Sequence, residues 1–175
     1  MNHCRRIADA VPRISVAVLG LATWLTCSLS SEGEDWPFFR GPHYNGISSE
    51  SGWTFRWRDG EPRVAWNTNV GIGVSSFAVV GDRVVTMGSP KGEDAEVVSC
   101  LDASSGQLVW KHSYPCKFDA RQFEGGPAAT PTIDGGLVCA LGYLGHLHCF
   151  DLSDGEVVWS KHLVDDFGGR YSSWK

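Results

Sequence analysis

Cys100–Trp110 reads CLDASSGQLVW, and Cys149–Trp159 reads CFDLSDGEVVW. Both stretches put Cys first, Asp third, Gly seventh and Trp eleventh. Each landmark has its own physical duty. Asp102 and Asp151 cap a turn through the side-chain carboxylate, and Gly106 and Gly155 supply the positive φ that an L-residue resists. Trp110 and Trp159 then fall on an outer strand. There a large flat ring covers the seam with a neighbouring unit while its N–H reaches a backbone carbonyl.

The pattern continues outward from each clause. The first copy has short apolar runs at Val74–Val80, Arg83–Met87, Ala95–Leu101 and Gln107–His112, with turn signals at Gly81-Asp82 and Asp102–Gly106. The second has Pro131–Ile133, Leu137–Leu141, His146–Phe150 and Glu156–Lys161, with turns at Asp134-Gly135-Gly136, near Leu144-Gly145 and at Asp151–Gly155. Ser89–Ala95 (SPKGEDA) is a charged loop that lengthens the first copy. Four short strands recurring at a period of about 50 residues predict an all-β chain of β-propeller blades, each of four antiparallel strands, over residues 74–112 and 130–161. No 3.6-residue apolar periodicity follows residue 31, so a helical solenoid is excluded.

A propeller needs roughly four to eight blades, and about two are legible here, so the ring is incomplete. Arg63–Thr68 matches an outermost strand, with Trp66 in the position of Trp110. The chain therefore reads as the N-terminal piece of a longer protein, or as a small protein that builds rings from several copies. Exposed edge strands count against a lone monomer.

The first thirty residues stand apart. Arg5, Arg6 and Arg13 precede an uncharged run from Ile14 to Ser31, and Ser28-Leu29-Ser30 offers small residues where a signal peptidase cuts. Residues 1–30 read as a secretory signal, 31–62 as an extended segment and 63–175 as the repeats. Residues 14–31 as an uncleaved membrane anchor are the rival reading. Export gives a periplasmic or extracellular location. Without the signal the formal charge moves from −5 to about −7, and no Lys/Arg cluster remains. That excludes nucleic acid as a partner, and leaves a membrane only if the first segment stays uncleaved. Cys100, Cys116, Cys139 and Cys149 allow three disulfide connectivities, and there is no CxxC for a zinc knuckle.

The repeated clause resembles the tryptophan-docking motif of pyrroloquinoline-quinone (PQQ) repeat propellers, A-x-D-x-x-T-G-x-x-x-W. Cys100 and Cys149 stand for Ala, and Ser105 and Asp154 for Thr. DWPFFRGPHYNGIS (Asp35–Ser48) and RVAWNTNVGIGVSSFAVVGDRVV (Arg63–Val85) are similar to the opening of secreted PQQ-like proteins. The resemblance covers nearly everything past residue 34. It implies the propeller fold, which serves quinoprotein alcohol dehydrogenases and BamB-like scaffolds alike. In the dehydrogenases it implies PQQ on the central axis, calcium held by Glu and Asn, an Asp base and a disulfide between adjacent cysteines. None of these maps here. There is no Cys-Cys pair, and Asn45, Asn67 and Asn69 all precede the first full blade.

The reading is thus an exported, non-catalytic binding or scaffold module. Its partner is an envelope protein or a polymer, and it has no catalytic residue, metal or cofactor of its own. The alternative is a piece of a PQQ- and calcium-dependent alcohol or sugar dehydrogenase. Three smaller features remain. His146 and His148 share a strand face and suit either a metal or simple packing. Cys139 and Cys149 face each other if Tyr143-Leu144-Gly145 forms a three-residue loop, and point apart if Leu144-Gly145 alone forms it. The first case sets a disulfide against two small buried thiols. The Gly-rich stretches Gly71–Ser76 and Glu124–Pro127 read as connections, and Arg121 with Glu124 as a surface ion pair.

Overall fold

The computed structural model describes residues 33–57, 60–117 and 125–170. The signal segment, Arg121 and Glu124 lie outside these. Eight strands form: β1 (Ala78–Val80), β2 (Arg83–Gly88), β3 (Ala95–Asp102), β4 (Leu108–Pro115), β5 (Thr132–Asp134), β6 (Leu137–Leu141), β7 (His146–Asp151) and β8 (Val157–His162). They make two antiparallel four-stranded sheets, β1-β2-β3-β4 and β5-β6-β7-β8. The described residues contain no helix. The architecture is all-β, two propeller blades in an open arrangement.

Local chemistry sets the turns. Asp102 Oδ1 accepts from the backbone N–H of Ser104 and Ser105 at 3.1 and 2.8 Å, and from both hydroxyls at 2.6 and 2.7 Å. Gly106 N–H closes the loop on the Asp102 carbonyl at 2.8 Å, with Gly106 at φ 67°. Asp151 repeats this with Ser153 and with Gly155 at φ 76°. Four acceptor contacts hold the Asp102 carboxyl at a pKa of about 2, the Ser104 hydroxyl contributing most. The Ser153 hydroxyl likewise lowers Asp151.

Cys100 faces Trp110 across β3 and β4, and the register then slips so that Leu101 faces Leu108. Cys149 faces Trp159 and Phe150 faces Val157 by the same slip. Val109 and Val158 are thus the extra residues of two equivalent β-bulges, which turn the indole toward the seam beside its sheet. Trp110 lies over Gly155: a Cβ there would stand 2.5 to 2.8 Å from the ring. Its Nε1 donates to the Leu152 carbonyl at 2.9 Å. Trp66 covers Gly106 in the same way and donates to the Ala103 carbonyl at 2.8 Å. In both cases the accepting carbonyl lies three residues before the glycine.

The structure shifts several boundaries. β1 begins at Ala78, not Val74, because the preceding residues bond instead to the connection that leads into β5: Val74 N–H to the Pro127 carbonyl, and Ser75 Oγ to the Ala129 carbonyl. β4 runs on to Pro115 because Ala95 and Glu96 continue the pairing. Arg63–Thr68 is not a strand. It pairs with none among the described residues and is held by Trp66 and by Thr68 Oγ1, which donates to the Gly106 carbonyl at 2.7 Å. At the other edge Trp36 forms a two-way bridge with Val79, and the Pro37 carbonyl accepts from Ile133 N–H. One short segment so ties the first strands of both sheets.

Among the described residues the core holds one carboxyl group. Glu96 is 0% exposed. It accepts from Tyr114 Oη at 2.7 Å and from Tyr143 N–H at 3.0 Å. Gly142 lies against both groups, so any side chain there would strike them. Burial and the adjacent Glu96 push the Tyr114 hydroxyl well above its ordinary pKa, which keeps it a donor.

Two substitutions test this account. Gly155→Ala combines left-handed strain with a collision against the indole, and should cost about 3 kcal/mol in urea unfolding. Gly81→Ala, also at positive φ but in open space, should cost about 1 kcal/mol; equal losses would refute the ring contact. Tyr114→Phe strands a buried acceptor and should cost about 1–3 kcal/mol, whereas a wild-type unfolding midpoint would show that Glu96 does not depend on it.

Candidate functional site

Of the residues singled out from sequence, the seam between the sheets brings together Trp110, Gly155, His146 and His148. Blade 1 contributes Trp110, His112 and Tyr114, alternate residues of β4 and therefore on one face. Blade 2 contributes Phe150, His148 and His146 from β7 by the same alternation. The rings interleave: Trp110 to Phe150 at 5.6 Å, Phe150 to His112 at 5.0 Å, His112 to His148 at 5.3 Å. His148 then meets Tyr114 at 4.6 Å, Tyr114 meets His146 at 5.1 Å, and His162 of β8 caps His146 edge-on at 4.6 Å. Such tilted and edge-on pairs each add about 0.5–1.5 kcal/mol beyond area burial for true aromatics. The seam thus grades from apolar at Trp110 to polar at His162.

His146 and His148 do share a face, with rings parallel at 6.3 Å. His148 Nδ1 pairs with Ser160 Oγ at 2.7 Å, while His148 Nε2 and His146 Nδ1 are buried without a hydrogen-bond partner. No group of three or more His, Cys, Asp or Glu among the described residues is arranged to hold a metal ion. What the structure shows of the pair is ring packing in the seam, His146 against Tyr114 and His148 against His112, Tyr114 and Phe150. Burial lowers the pKa of His112 and His146, and takes His148 to about 4, helped by the neighbouring imidazoles.

The β6–β7 connection is the three-residue loop Tyr143–Gly145, with Gly145 at φ 92° and Gly142 N–H on the His146 carbonyl. Cys139 accordingly faces Cys149. Both sulfurs are thiols in the structure, so the disulfide reading gains a register and no bond. Burial and then Cys139 raise the Cys149 thiol, and burial pushes Cys100 up to about 11. Neither is a ready nucleophile at neutral pH.

A shallow groove of about 460 Å³ opens at one end of the seam between Asp82-Arg83 and Gly135–Leu137 with Asp151–Ser153. Arg83 is engaged by Asp82 at 2.7 Å. Trp159, the second copy's indole, is 40% exposed, beside Val157 and Val158 at 39% and 54%. No described glycine lies under it. Sequence reasoning missed the ring ladder and the Glu96–Tyr114 pair. The period-two triads Trp110/His112/Tyr114 and His146/His148/Phe150 carried that signal.

The family model described as outer membrane protein assembly factor BamB matches residues 47–171. The chain is 30% identical over 116 residues to BamB of Burkholderia pseudomallei (strain K96243), covering 65% of this chain and 28% of that protein. It is 25% identical over 126 residues to BamB of Yersinia pestis, covering 69% and 32%. It thus spans under a third of each of these relatives. Among solved structures, BamB from Moraxella catarrhalis aligns with a TM-score of 0.40 at 20% identity, over 56% of this chain and 28% of that one. The quinohemoprotein alcohol dehydrogenase ADHIIG from Pseudomonas putida HK5 aligns with a TM-score of 0.41 at 24% identity, over 60% and 15%. Two four-stranded sheets joined by the repeated clause, with a family match across residues 47–171, make this chain a member of the PQQ-repeat propeller family of the outer membrane protein assembly factor BamB.

Proposed function

We propose that the chain supplies two blades of an exported, BamB-like propeller that acts as a non-catalytic scaffold for envelope proteins engaged in outer-membrane assembly. The observation that carries this is the uneven fate of three equivalent indoles. Trp66 and Trp110 each lie over a glycine turn, whereas Trp159, which shares the bulged outer-strand position of Trp110, is 40% exposed beside Val157 and Val158. An indole on a bulged outer strand is shaped to receive another four-stranded sheet, and the chain works as part of a larger ring.

The seam chemistry supports binding over catalysis. Its histidines are packed between rings, and burial disfavours their charged forms. Its thiols are held protonated. The identity to assembly factors favours an envelope partner over a quinone substrate.

Three measurements test the reading. Trp110→Ala should cost about 3–5 kcal/mol, while Trp159→Ala should cost under about 1 kcal/mol in this chain alone; equal losses would mean that Trp159 is already seated. PQQ and calcium added with an electron-accepting dye should give no reduction, and turnover would overturn the scaffold assignment. In the host, depleting the protein should lower the amount of β-barrel protein in the outer membrane several-fold, restored by the wild-type gene. Unchanged levels would refute the assembly role.

A further inference from the structure

We propose that the ring ladder between β4 and β7 is an acid-labile catch, in which protonation of His112, His146 and His148 parts the Trp110 seam while the Trp66 seam stays closed. The geometry gives three reasons. First, the imidazoles are load-carrying contacts between two sheets and not surface groups: His148 sits between His112 at 5.3 Å, Tyr114 at 4.6 Å and the parallel His146 at 6.3 Å. Second, two ring nitrogens, His146 Nδ1 and His148 Nε2, are buried with no acceptor to receive a proton's charge. Third, the counter-charge is too little and at one end.

The groups facing the ladder from every element around it make that last point. β3 offers Glu96, already accepting from Tyr114 and Tyr143 N–H. β4 offers Tyr114, a donor, and Cys116 lies beside it. β6 presents Ala140 opposite His148. β8 offers Ser160 and His162, and His162 is taken by Asp165 at 3.1 Å. Glu96 and Asp165 act on His146. His148, at the middle, feels only burial and two other imidazoles. A charge there is repelled from both sheets at once.

The sign follows from linkage. A histidine whose folded pKa lies below its unfolded value binds fewer protons when folded, so stability is full above about pH 6.5 and falls as the pH drops toward the folded pKa. For His148 that window runs from about 6.5 to about 4. It is separate from the loss at Asp102, whose carboxyl stabilises above its ordinary 3.8 and fails only as the pH falls toward about 2. Trp66 provides an internal control. Its indole bonds the Ala103 carbonyl, and no histidine takes part in that contact.

The test is NMR on the full chain between pH 7.5 and 4.5. The Trp110 Nε1–H resonance should move to its exposed position between about pH 6.5 and 4, while that of Trp66 holds. The imidazoles of His112, His146 and His148 should titrate below the ordinary histidine value. Indoles released together, or the three imidazoles titrating at or above that value, would overturn the proposal. His148→Phe keeps a ring in the ladder and removes the charge. It should be less stable than wild type at pH 7.5, where the Ser160 bond counts, and more stable at pH 5. Parallel stability curves would also overturn it. If the variant does not fold, the wild-type titration decides alone.

Discussion

At each closed seam an indole lies flat on a turn at a residue with no Cβ, where any side chain would strike the ring. That steric fact organises this molecule. Gly106 and Gly155 have left-handed φ, which turns the chain and at the same time bares a patch of backbone. Trp66 and Trp110 occupy those patches, and each donates its N–H to the carbonyl three residues earlier. The Asp cap, the turn, the glycine and the ring are one device. Asp102 fixes the loop, the loop aims the Ala103 carbonyl, and the carbonyl fixes the ring of the preceding segment. At this contact a sheet is joined to its neighbour by side chain on turn, and among the described residues no strand of one sheet pairs with a strand of the other. That is how blades can stack around an axis and remain separate sheets.

The device was legible in the sequence because it is local and repeated. The eleven-residue clauses that start at Cys100 and Cys149 exposed the turn, the outer strand and the ring. Gly/Asp signals at Gly81-Asp82 and Gly135-Gly136 marked the hairpins. What the sequence concealed was non-local. Val74–Phe77 has the apolar look of a strand, but Val74 and Ser75 bond instead to Pro127 and Ala129 in the connection that leads into β5. Arg63–Thr68 has a strand's composition, and a strand exists only where another backbone receives its N–H and C=O groups. The bulges at Val109 and Val158 left no composition signal, because an extra valine in an apolar run looks like any other.

The seam shows a second limit of reading residues one at a time. His146 and His148 taken as a pair raise the question of a metal. Seen with His112, Tyr114, Phe150 and Trp110, they are rungs of a ladder that two strands of different blades build together. The same alternation that buries His148 puts Tyr114 over Glu96, so the one core carboxyl and the most buried imidazole belong to a single polar layer. Polar groups so placed specify register more than they add stability, since a slip of one residue would turn every ring to the wrong face. The adjoining apolar rungs, Trp110 and Phe150, carry the larger share of the burial.

The open edge follows from the same occupancy argument. On the scaffold reading, Trp159 needs a turn with a bare glycine and an aimed carbonyl. Among the described residues there are two such turns, and both are filled: Gly106 by Trp66 and Gly155 by Trp110. A second copy could offer its Gly106 only by first giving up its own Trp66 contact, together with the hydrogen bonds to Ala103 and from Thr68 to Gly106. Exchanging one indole for an identical one gains no contact, and association adds the entropic cost of joining two molecules. The sheet that Trp159 fits must therefore bring a turn whose own glycine is still uncovered. That condition favours a distinct blade over a ring of identical copies.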